Sequence, residues 1–172
     1  MHVRFIRILA TAGSLVAAGV ITASGLAAAS AAPAGRAAPS GTEHFQLISA
    51  SATATKGPVI AYGLFGAAGI DHMGNNVDTF AFKGGTFKVR HSQGTGTPHL
   101  NPQTCVFTIH VHGTYKIFGG TGTYAGISGH GHYVYSQLAI TKRKANGSCN
   151  TSQNALPAAV QQIIQASGPV KL

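Results

Sequence analysis

The chain has 172 residues and carries twelve Lys or Arg and nine His but only three Asp or Glu, for a formal net charge of +9. That length holds one domain, or one domain with a tail. Three carboxylates leave no paired acids for hydrolysis, and there is neither a G-x-S-x-G element nor a phosphate-cradling loop ahead of a helix.

Arg4 and Arg7 open a short positive segment. An apolar run follows from Ile8 to about Ala28, and Ala29-Ser30-Ala31 then offers small residues at a cleavage site. This is the order of a secretory signal peptide over residues 1–31, with cleavage expected after Ala31 and no membrane span left in the mature chain. The two arginines are not adjacent, which points away from a twin-arginine route. Residues 32–42, APAGRAAPSGT, are too poor in large apolar groups to order themselves and read as a flexible leader ahead of a domain over 43–172. The expected address is extracellular.

From Arg36 onward ten Lys or Arg face Glu43, Asp71 and Asp78, a net of +7. A basic balance can serve nucleic-acid or anionic-surface binding. The charges are dispersed, however. The one tight cluster, Lys142-Arg143-Lys144, has the composition of a solvated loop and no interleaved aromatics, so no nucleic-acid partner is expected. Cys105 and Cys149 are an even pair in an exported chain, and the simplest expectation is one disulfide closing a loop of about 45 residues, worth about 4 kcal/mol by chain entropy.

No long stretch has helical periodicity. Short runs rich in β-branched and aromatic residues, separated by Gly, Asn and Pro, predict an all-β fold. The expected strands are 43–55, 58–66, 77–83, 86–91, 104–118, 124–141 and 159–172, with loops over 92–103 and 144–157. Seven or eight strands in this length suit a small closed barrel or a sandwich, and closure removes exposed edges. A hairpin with a type I′ loop at Gly84-Gly85 would set Phe82 opposite Phe87, Phe80 opposite Val89 and Asp78 opposite His91, all on the core face.

The segment FGGTGTYAGISGHG (118–131) resembles a strand–turn–strand signature of allene-oxide-cyclase-like and dirigent-like β-barrels. With GTFKVRH (85–91) and the closing ASGPVKL (166–172), the chain is similar over most of 43–172 to a group of small exported proteins of actinobacteria. The resemblance implies an eight-stranded antiparallel barrel with an apolar lumen, of the kind that binds or cyclises lipid-derived or phenolic molecules in those relatives.

Two constellations could carry chemistry. Asp78 oriented on His91 could act as a general base, or hold a polar group of a ligand lying on Phe80, Phe82 and Phe87 at a lumen mouth; the plainer reading is a charge-assisted hydrogen bond at the end of a hairpin. Asp71-His72 is expected near the same end. The pairs His110/His112 and His130/His132 sit at H-x-H spacing in neighbouring strands. A five-residue loop at 119–123 would oppose His112 to His130 and His110 to His132, a patch within reach of Zn²⁺ or Cu²⁺. Solvent-facing histidines that change charge between about pH 5 and 8 are the plainer alternative. The expected protein is an exported, single-domain barrel that acts as a non-enzymatic binding or surface-associated module, with no cofactor and a small apolar ligand as partner. A cyclase or isomerase, or a transition-metal binder, stands as the alternative.

Overall fold

Period-two alternation is realised in nine strands of a computed structural model that describes residues 37–152 and 154–172. They are β1 (Ser40–Ser49), β2 (Lys56–Gly63), β3 (Ala67–His72), β4 (Val77–Phe82), β5 (Gly85–His91), β6 (Thr95–Asn101), β7 (Val106–Phe118), β8 (Ser128–Ile140) and β9 (Ala159–Lys171). The strands are hydrogen-bonded in the order β5-β4-β3-β2-β1-β9-β8-β7-β6, and β5 also pairs with β7. This last pairing closes eight antiparallel strands into a barrel and leaves β6 outside it. The expected signal peptide lies outside the described residues.

β7 is long enough to serve two partners. Its residues Val106–His112 pair with β6, and Tyr115–Phe118 pair with β5. Between them Ser92 bridges the change: its N–H donates to Thr114 O at 2.8 Å, and its Oγ accepts from Thr114 N at 2.9 Å. β6, β7, β8 and β9 therefore continue beyond the barrel mouth as a four-stranded extension. Its outer edge, β6, carries Pro98, a residue that discourages further pairing.

Several expectations are corrected. The segment 92–103, read as a loop, is mostly β6, because backbone pairing with β7 orders it without needing large apolar side chains. For the same reason Ser40–Thr42, assigned to the leader, are strand, paired with Lys171–Pro169. β3, with its small residues, carries too little apolar alternation to be read from sequence. β8 begins at Ser128 rather than Tyr124, since Gly122–Tyr124 form a 3-10 turn.

The hairpin loop is Lys83-Gly84, not Gly84-Gly85. Gly84 has φ +96° whereas Lys83 stays at negative φ, so the turn is not type I′. Register moves by two residues: Phe80 opposes Phe87, and Asp78 opposes Val89. An even shift preserves the face, so the six residues expected inside remain inside. Gly85 is needed for a different reason. A Cβ there would lie 2.1 Å from Thr121 O, because the 119–127 loop lies against it.

The disulfide is as expected. Cys105 and Cys149 are joined, with Cα atoms 5.4 Å apart, tying the β6–β7 turn to the loop after β8.

These contacts separate two glycines sharply. Gly85→Ala forces a backbone–backbone clash and is expected to cost about 2 kcal/mol or more in urea unfolding. Gly66→Ala, where an added Cβ meets nothing within 4 Å, is expected to be neutral or stabilising by up to about 1 kcal/mol.

Candidate functional site

The barrel interior is built of interlocked rings. Phe45, Phe65, Phe80, Phe82, Phe87, Tyr115 and Tyr124 form a connected cluster with centroids 5.4–6.5 Å apart. Tyr124 is delivered by the 119–127 loop, which packs it and Ile127 into one end. Phe80, Phe82 and Phe87 were expected to line a ligand lumen. They do come together, but at 4%, 7% and 0% exposure their rings are the core, filling the space a ligand would occupy.

All three acidic residues turn inward. Glu43 is 0% and Asp71 1% exposed, and the Asp78 side chain is 14% exposed. Glu43 shares an inward row with Tyr115, with Gly168 and Gly131 between them; a Cβ on Gly131 would fall 2.9 Å from the Tyr115 ring. Glu43 Oε2 accepts a hydrogen bond from Phe65 N at 3.0 Å, while Glu43 Oε1 and the Tyr115 hydroxyl have no partner. Burial pushes the Glu43 carboxyl up, with backbone hydrogen bonds opposing it. Burial also pushes the Tyr115 hydroxyl up to about 12, helped by the Glu43 charge.

Asp78, His91 and Asp71 gather at the opposite mouth, as the hairpin's face predicts. Despite the register shift, Asp78 Oδ2 lies 3.6 Å from His91 Nε2, the one ion pair among the described residues. Asp78 Oδ1 accepts from Gly74 N at 2.8 Å and so holds the β3–β4 turn. The Asp78 carboxylate raises the His91 pKa, against the effect of burial. Asp71, with neither oxygen partnered, is pushed up to about 7 by burial and then by the Asp78 charge. The His91 ring also meets Tyr133 edge-on at 6.4 Å, and the Tyr133 hydroxyl donates to Ser92 O at 2.9 Å.

All four histidines of the two pairs face outward, but not in the register that the patch requires. His110 opposes Ser136 and His112 opposes Val134, while His130 opposes Lys116 and His132 opposes Thr114. The loop before β8 has nine residues instead of five, since the 3-10 turn draws Tyr124 into the core, and pairing moves by four. The two-by-two patch is thereby broken, and among the described residues no three His, Cys, Asp or Glu converge as metal ligands. His110 Nδ1 lies 3.0 Å from Ser136 Oγ instead.

The same register assembles what sequence reasoning took as dispersed charge. Lys88 and Arg90 on β5, Lys116 on the adjoining β7 and Lys171 on β9, one strand further across β8, all point outward. The parity of GTFKVRH already put Lys88 and Arg90 on the outer face; their neighbours could be found only from long-range pairing.

The mouth cluster dictates a pH dependence. Asp71, with a folded pKa above its ordinary carboxyl value, favours its protonated form, so its burial cost is absent below about pH 4 and complete above about pH 7. His91, raised by Asp78, contributes stability that is complete below its ordinary pKa of about 6.5 and is lost as pH rises through its folded pKa. Both effects make the protein more stable at pH 5 than at pH 8 in thermal unfolding. Asp71→Asn is expected to flatten that slope and stabilise at pH 8 by up to about 3 kcal/mol, allowing for water at the mouth. A loss of stability at pH 8 in that variant would contradict the assignment.

Compared with known proteins, the chain matches no family model, no curated protein and no solved structure.

Proposed function

We propose that this protein is an exported, non-enzymatic binding module of the allene-oxide-cyclase-like and dirigent-like barrel group, and that it acts through its outer wall on anionic partners. The observation that carries the reading is the separation of charge. Glu43, Asp71 and Asp78 face the interior, whereas Lys56, Lys83, Lys88, Arg90, Lys116, Lys142, Arg143, Lys144 and Lys171 are all exposed. Such a surface attracts polyanions over about a Debye length, with little repulsion from surface carboxylates. The ring-filled interior weighs against a small apolar ligand in the lumen. No helix among the described residues is long and apolar enough to cross a membrane.

The cyclase or isomerase reading has one observation in its favour, the raised pKa values of His91 and Asp71 at the mouth. Phe80, opposite Asp71 in the β3–β4 pair, and Phe87, in ring contact with it, are both buried and leave little room for a substrate in the interior.

Protein recovered from the culture medium is expected to begin at Ala32 by intact-mass measurement. It is expected to bind inorganic polyphosphate in a calorimetric titration, with log K falling linearly in log salt. Absence of binding at low salt would sink the surface-acting reading.

A further inference from the structure

Two rows of outward side chains cross the wall formed by β5, β7, β8, β9 and β1. In one row Arg90 stands opposite Lys116, and Lys116 opposite His130. In the next, Lys88 stands opposite Phe118, Ser128 opposite Lys171, and Lys171 opposite Ser40. Lys88, Arg90, Lys116, His130 and Lys171 are all exposed. Five strands spaced about 4.8 Å apart make this a track of about 20 Å.

The arrangement is unfavourable for folding alone. Like charges directly opposite in an antiparallel pair repel, and Arg90 and Lys116 have no carboxylate side chain on the outer wall to relieve them. One feature preorganises the track: the Arg90 guanidinium lies 5.1 Å from the Phe118 ring centroid. Beside them lies an open depression of about 750 Å³, bounded by Lys116, His130, Lys171, Ser40, Thr42 and Ser128.

We propose that this track binds a linear polyol-phosphate polymer, whose phosphodiesters are joined by glycerol or sugar-alcohol units without bases. The proposal rests on the surface-acting reading above and assigns its partner. The cations are strung out rather than convergent, which suits successive phosphates on one chain better than a single anion. Arg90 can take a phosphate in a bidentate manner, the lysines act as point charges, and Ser40, Thr42 and Ser128 offer hydroxyls to the polyol. A lipid surface fits less well. The most exposed large apolar residues, among them Ile48, Ile60, Tyr62, Leu138 and Leu156, lie outside the two rows, and Phe118, the large apolar side chain within them, is half-buried beneath the Arg90 guanidinium and poorly placed to insert. A nucleic acid fits less well because aromatic and basic residues do not alternate along the track. Arg90 covers one face of Phe118, and His44 is stacked on Tyr62 at 5.0 Å.

The test is calorimetric titration of the purified protein with poly(glycerol phosphate) at several salt concentrations. One variant carries Lys88→Ser, Arg90→Ser, Lys116→Ser and Lys171→Ser; a control carries Lys142→Ser, Arg143→Ser and Lys144→Ser. The first is expected to lose about tenfold or more in affinity and about 3 in the slope of log K against log salt, the control less than about threefold in affinity. Lys116→Ser alone is expected to raise Tm by about 1–2 °C through relieved repulsion, and a comparable fall would overturn the like-charge argument. Equal losses in both multiple variants, or none in the first, would overturn the track while leaving general polyanion binding intact. Tighter binding of an equally charged single-stranded oligonucleotide, or of phosphatidylglycerol vesicles, would overturn the polymer assignment. Failure of the unmodified protein to bind polyphosphate would remove the underlying reading as well.

Discussion

The pairing of β5 with the last four residues of β7 is the constraint on which the rest depends. Without it the sheet would be an open ribbon, and parity along each strand would distinguish two faces but not an inside from an outside. With it, one face of eight strands becomes an enclosed interior. Phe45, Phe80 and Phe87 are brought from β1, β4 and β5 into mutual ring contact. The seam also sets Arg90 against Lys116, so the closure that forms the core creates the cationic wall.

Closure has an electrostatic cost that the sequence bears unevenly. Glu43 and Asp71 are fully enclosed, each with at least one oxygen lacking a partner, and burial raises both pKa values. Apolar residues of similar size would serve the core better. Their inward position, with Asp78 turned into the mouth, nevertheless keeps carboxylates off the outer wall, leaving its lysines and arginines uncompensated. Core and surface are thus linked: a barrel less stable at neutral pH presents a uniformly basic exterior.

Much of this was legible from alternation alone. The inward set Asp78, Phe80, Phe82, Phe87, Val89 and His91 survives a register error, because a shift of two residues does not change which face a side chain takes. The outward face of His110 and His112, opposite in parity to Phe107, Ile109 and Val111, survives a shift of four in the same way. Register itself was not legible. It was set by Gly85, which admits a loop rather than forming a turn, and by Gly122–Tyr124, which coil and carry Tyr124 inward where a plain hairpin loop was expected. β6 was missed because its order comes from β7 and not from its own polar sequence. The basic track was missed for a related reason: Lys88, Lys116 and Lys171 are far apart along the chain and become neighbours only through long-range pairing.

Native-state hydrogen exchange along the closing seam tests the account most directly. If the barrel is closed as described, the amides of Lys88–His91 and Tyr115–Phe118 that face the seam open only with global unfolding, while the outward-facing amides of β6 exchange by local fraying. Seam amides exchanging as fast as those of the β6 edge would mean that β5 and β7 are not paired in solution, and would contradict both the enclosed acids and the assembled cationic wall.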